Sequence, residues 1–386
     1  MSYTCFTWDL MRSVYFYFAI FVASLINMQR KKYRYSPKTI LRYAFPVILL
    51  IIIWLTQLLP GWGEAYARSI YPYISIVLSS ISNLFPFSVG DLFITLSIAG
   101  LILHPIYTRL KRRKPWKLIL LHSAEYLAWV YIWFYLAWGL NYSQHNFYQR
   151  TTIPYSAYNS EVFKEFVTEY VDSLNNNYTE ITWLNKDRIH EDIILRYRQI
   201  SETMGIRSPK GFPRVKTMLF TSFISKMGIL GYMGPFFCEF NVNGDLLPSQ
   251  YASTYAHELS HLLGITNEAE ANFYAYQVCA RSEDKAIRFC GYFSVLNHVM
   301  GNARQFLSEE EFKELVSGIR PEIIELSSSN REYWMAKYSQ TIGDMQSRIY
   351  DLYLKGNKIS SGRKNYSEVV GLLVSWRKYN KKTIIP

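Results

Sequence analysis

The sequence predicts a mainly α protein in two parts. Transmembrane helices occupy roughly residues 1–150, and a mostly helical globular domain with a small β element occupies 151–386. Three observations predict this. Long uncharged apolar runs occur only in the first part. Nearly all of the net positive charge lies there too. The second part alternates apolar and charged residues at helical period.

The runs come first. A span needs about 20 apolar residues of helix. Residues 44–59, AFPVILLIIIWLTQLL, carry no charge and show no polar face. Residues 92–107 form a second run. Residues 118–140 form a third, with Glu125 as its one acid. A weaker stretch at 14–28, rich in Tyr and Phe, is expected to be a fourth span. It fits a signal peptide poorly, because no basic stretch precedes it and no small-residue cleavage site follows. The loop 60–90 holds Ile70, Tyr73, Ile74, Val77, Leu78, Ile81 and Leu84 at helical spacing. It fits either an interfacial helix or an ordinary packing helix.

The charges orient these spans. The chain of 386 residues has a net charge of +12. Residues 1–150 contribute +11 of it and residues 151–386 only +1. The basic residues cluster at 30–42 and 109–117, whereas 60–90 holds only Glu64 and Arg68. Basic short loops stay cytoplasmic. That places everything after Leu140 outside, and the expected location is a cytoplasmic (inner) membrane with an extracytoplasmic C-terminal domain. The excess is therefore an orientation signal, and no nucleic-acid partner is expected; the lipid bilayer is. A 17% aromatic content excludes low-complexity disorder. Four cysteines in a chain this long exclude a disulfide-stapled miniprotein.

In the second part, Glu161–Leu174 and Ile189–Met204 read as amphipathic helices. From Val215 the sequence turns β-prone, punctuated by Gly228, Gly231 and Gly234. Phe236–Val242 reads as a strand leading to an Asn243-Gly244 turn. Cys238, Cys279 and Cys290 are expected as buried thiols. The basic run Arg377, Lys378, Lys381 and Lys382 reads as a solvated tail.

One motif carries chemistry. Tyr251–Gly264, YASTYAHELSHLLG, contains HExxH. His257 and His261 are four apart, so one helix face presents both imidazoles to one Zn²⁺. Glu258 is placed to act on metal-bound water. A third ligand is needed. Gly264 suits a tight reversal, but Asn267, at the position of a third His, is a poor ligand. The stretch Asn267-Glu268-Ala269-Glu270-Ala271-Asn272 resembles the second zinc helix of gluzincins, N-E-x-x-A-D/N. That resemblance implies Glu268 as the third ligand and Asn272 as the hydrogen-bond partner of a zinc histidine, a weaker and neutral acceptor than the commoner Asp. Glu270 competes, either as ligand or as part of a capping box with Asn267. Glu268 is preferred because its i+4 residue is polar, whereas that of Glu270 is Tyr274.

Together with the spans, WGLNY at 138–142, GPFFCEFNVN, Tyr353–Asn357 and Tyr366–Val370 resemble an uncharacterised bacterial membrane family with a gluzincin-like zinc site. The implied function is a membrane-anchored zinc metallopeptidase. It would hydrolyse peptide bonds of an envelope protein or peptide by metal-activated water. A non-catalytic membrane scaffold or assembly factor with structural zinc is the alternative. Phe236–Val242 is a candidate to pair with substrate backbone. His298, Arg304, Tyr353 and Tyr366 are candidates to steady an oxyanion.

Overall fold

The computed structural model describes residues 37–211, 213–357 and 368–383. The span expected at 14–28 lies outside them. Helix α1 spans Pro37–Leu58, α2 Tyr71–Ser82, α3 Val89–Leu110 and α4 Trp116–Ala137. Helices α1, α3 and α4 are long and apolar enough to cross a membrane. They contain the run expected at 92–107, all but the last residue of the run expected at 44–59, and most of the run expected at 118–140. The last helix ends at Ala137, because Trp138 leaves helical conformation and Gly139–Ser143 forms a 3₁₀ turn. Glu125 of α4 is matched by a bidentate Arg42 of α1, at 2.7 and 2.8 Å.

The loop between α1 and α3 is helical almost throughout. Trp62–Ala65 leads through a π-type turn at Tyr66–Ile70 into α2. Ile70, Tyr73, Val77, Ile81 and Leu84 point outward, while Tyr71, Ser75, Leu78 and Ser82 face the protein. Leu78 therefore leaves the face the spacing assigned to it. An exposed apolar stripe over a polar inner face is what an interfacial helix presents.

The globular part begins with α5 (Ser160–Asn177) and α6 (Lys186–Ile200), capped by Asn159 and Asn185. Three strands follow, β1 (Val215–Thr217), β2 (Gly231–Gly234) and β3 (Glu239–Val242). Their order is β1-β3-β2, with β1 parallel and β2 antiparallel to β3. The expected strand 236–242 is thus shorter at its start. Cys238 has φ of 46°, a left-handed conformation that ends a ladder. Phe236 and Phe237 turn away to pack on Phe93 of α3, at 4.9 and 5.8 Å between ring centres.

Helix α7 (Pro248–Leu262) opens with Pro at its first position. Helices α8 (Glu268–Ala280), α9 (Lys285–Phe306), α10 (Glu309–Ser317), α11 (Pro321–Lys337), α12 (Gln340–Gly356) and α13 (Val369–Thr383) complete the chain. Helix α7 is the central element, buried among α8, α9 and the sheet. One core cluster runs from Ile53 to Val374, across the boundary expected near residue 150. The expected solvated tail is instead the docked helix α13. Val369, Val370, Leu373 and Val374 enter the core, and Arg377 pairs with Glu169 at 2.6 Å. Apolar burial outweighs the basic residues on its other face.

The sheet is bolted to the start of α3. The Glu239 carboxylate accepts from the backbone N–H groups of Val89 and Gly90 at the start of α3. An anion at a helix N-terminus is favoured there. Lys216 of β1 pairs with the same carboxylate, and both side chains are fully buried. Asp91 of α3 accepts from Leu219 N–H and from the Tyr232 hydroxyl of β2.

Candidate metal centre

Helix α7 places His257, Glu258 and His261 on its inner face. Gly264 then reverses the chain with φ of +104°. That conformation favours glycine, and a Cβ there would press on the Tyr71 ring at 3.3 Å. The reversal brings the start of α8 back onto α7. Asn267 caps α8 by accepting from Glu270 N–H, and Glu268 turns into the two imidazoles.

The three donor atoms form a tight triangle. His257 Nε2 lies 3.1 Å from Glu268 Oε2 and 3.0 Å from His261 Nε2. His261 Nε2 lies 3.5 Å from the same carboxylate oxygen. Tetrahedral zinc with ligands at about 2.0–2.1 Å separates its ligand atoms by about 3.3 Å. The N, N, O donor set and its spacing therefore fit a zinc ion.

The imidazoles are oriented from behind. His257 Nδ1 faces the Asn272 amide oxygen at 2.9 Å, and His261 Nδ1 faces the Ile265 carbonyl at 2.7 Å. Both oxygens only accept, so each Nδ1 carries a proton, and each Nε2 faces inward, where loss of its own proton would free a lone pair for a metal. Burial alone would disfavour a charged His261. The adjacent Glu268 carboxylate outweighs this and holds His261 up at about 9. Burial likewise opposes the Glu268 charge, but the two imidazoles keep its carboxyl well below the usual range. Glu268 is thus anionic and ready to accept a cation. Its other oxygen accepts from the Tyr350 hydroxyl of α12 at 2.6 Å.

Glu258 differs from its neighbours. It is 4% exposed, and its Oε2 has no hydrogen-bond partner among the described residues. Burial pushes its carboxyl up to about 7. Gly231 of β2 leaves room for it, since a Cβ there would sit 2.6 Å from the Glu258 carboxylate. Glu270, the competitor, is fully engaged elsewhere. It accepts from Phe147 N–H at 2.8 Å and from Arg150 at 2.5 Å.

The far end of α7 is held by the first part of the chain. Trp138 Nε1 donates to the His261 carbonyl at 3.1 Å, and Tyr71 to that of Leu262 at 2.7 Å. Arg207 also reaches Leu262, and Gln144 reaches Gly264. The carbonyls a helix leaves unpaired are thereby satisfied.

The profile of a family described as "Protein of unknown function (DUF3810)" matches residues 66–374. The chain belongs to this family. The DUF3810 match covers α2, two of the three apolar helices and every residue of the donor cluster. No curated protein and no solved structure matches the chain.

Of the residues expected around the site, His257, Glu258, His261, Glu268 and Asn272 come together. His298 is near enough for His257 to add to the lowering of its pKa by burial. Tyr353 bonds the Tyr142 hydroxyl, Arg304 lies over the Phe312 ring, and Tyr366 is outside the described residues. Tyr350 and Gly231 were not expected. Tyr350 stands 82 residues from its partner, and no spacing rule connects the two. Cys238, Cys279 and Cys290 are buried free thiols.

Proposed function

We propose that the protein is a membrane-anchored zinc metallopeptidase that hydrolyses peptide bonds of an envelope protein or peptide. The observation that carries this is Glu258. A purely structural zinc site needs only its ligands, yet here a buried carboxylate oxygen beside the donors has no partner among the described residues. Leaving such a group unsatisfied costs about 1–3 kcal/mol, and a proton-transfer role accounts for it.

Zinc, when bound, supplies Lewis-acid polarisation of a carbonyl and a more acidic water. His257, His261 and Glu268 would hold it, with Asn272, Ile265 and Tyr350 fixing their orientation. Glu258 takes a proton on Oε2 and passes it to the leaving amine. A carboxyl near pH 7 is suited to both tasks. Substrate backbone cannot pair with β3, because β1 and β2 already flank it. Of the two edge strands, β2 is the one whose Gly231 lies beside Glu258, and it replaces 236–242 as the strand for substrate.

We place the domain outside the cytoplasmic membrane of a bacterium, on the basic residues 109–117 between α3 and α4. The test is a set of three variants in purified full-length protein. Glu258→Gln should keep one zinc per chain and lose at least about 100-fold in peptide cleavage. Glu268→Ala should lose the zinc, and Glu270→Ala should keep it. A Glu258→Gln protein that still supports every cellular phenotype, with no cleavage by wild type or variant in vitro, would leave the scaffold alternative standing.

A further inference from the structure

The donor cluster sits very close to the ends of the spans. Trp138, the first residue after α4, touches the carbonyl of His261. Strand β2 covers the remaining distance. Gly231, at one end, packs against Glu258. Gly234, at the other, is paired with Glu239, whose carboxylate holds the first N–H groups of α3. Three residues of strand cover about 10 Å. Two residues further, the Phe236 ring packs on Phe93, and its carbonyl accepts from Trp133 at 2.9 Å. Phe93 and Trp133 belong to the membrane-crossing windows of α3 and α4.

The neighbouring surface is apolar at the same level. Leu219, whose N–H is held by Asp91 of α3, is exposed together with Phe220 and Phe223. Exposed apolar patches beside spans mark membrane contacts. No strand pairs with the outer edge of β2 among the described residues, and Gly231, Tyr232 and Met233 are half-buried. A polypeptide adding to that edge runs from the Glu258 end straight down to the lipid.

We propose that the substrate is the membrane-proximal stretch of a polypeptide anchored in the same bilayer. It is taken as an extended strand along β2 and cut about three to six residues from the lipid surface. This rests on the peptidase function proposed above. A soluble peptide fits the same edge but gains nothing from the apolar patch. An anchored chain arrives already aligned with β2, and its effective concentration is raised.

The experiment uses full-length, zinc-loaded protein in phosphatidylethanolamine/phosphatidylglycerol vesicles. The reporter is one mixed-sequence cassette repeated four times, either joined to a transmembrane helix or free in solution. Mass spectrometry locates the cuts. The expected result is scission in the first repeat of the anchored reporter, with the free reporter cut at least 10-fold more slowly. Cutting spread evenly over the four repeats, or equal rates on both reporters, overturns the anchored-substrate proposal and leaves the peptidase in place. Failure to cut either reporter overturns the peptidase function and this proposal with it.

Discussion

At the scale of single residues, the site was mostly legible because its geometry is local. Two histidines four apart must share a helix face. The choice between Glu268 and Glu270 also followed from helix period, since only 268 has an amide at i+4. The structure places Asn272 against His257 and gives Glu270 to Arg150. Tyr350 was illegible, because its contact depends on how α12 returns to α8. His190 shows another long-range effect. It stacks on Tyr255 at 4.3 Å, contacts the Tyr251 hydroxyl, and burial lowers it to about 4. A folded pKa below the unfolded value of about 6.5 means that protonation favours unfolding. The contribution of neutral His190 is present above pH 6.5 and is lost as pH falls towards 4. The gap in Tm between wild type and His190→Phe should therefore narrow from pH 7 to pH 4. A gap that does not change with pH would refute this.

At the scale of elements, the helices were legible and the short strands less so. Three- and four-residue strands carry little alternation, and the start of β3 is set by where Phe236 and Phe237 find partners on the spans. Helix α13 was misread because its basic residues stood out. Its run Val369–Val374 is the informative part, since apolar faces decide docking. Leu373 is 3% exposed within the core. Leu373→Ala should destabilise the protein by about 2–5 kcal/mol, read as a lower temperature of half-aggregation in detergent. An unchanged temperature would mean that α13 adds little to the core.

At the scale of the whole molecule, the sequence suggested two halves divided near residue 150. The charge partition supports that division, but the packing does not respect it. One core crosses it, and the Glu239 carboxylate on the start of α3, the Asp91 contacts and the Trp138 bond all join one half to the other. None of these was legible, because each links residues separated by 123 to 150 positions. Composition reports where segments reside, whereas the partners of individual polar groups depend on the finished fold.

The capping of α7 by Trp138, Tyr71, Gln144 and Arg207 bears on how the protein matures. Three of those four donors come from the membrane half, so the end of the helix carrying His261 is completed only when that half is in place. For the zinc centre proposed above, metal loading would then be a checkpoint on insertion. Chain synthesised without membranes should take up less than a tenth of the zinc bound by chain synthesised into vesicles, measured by elemental analysis after matched purification. Equal zinc in both would show that the domain assembles its centre unaided. If the checkpoint holds, a hydrolytic site of this kind stays inert during synthesis, when its own unfolded chain is the nearest available substrate.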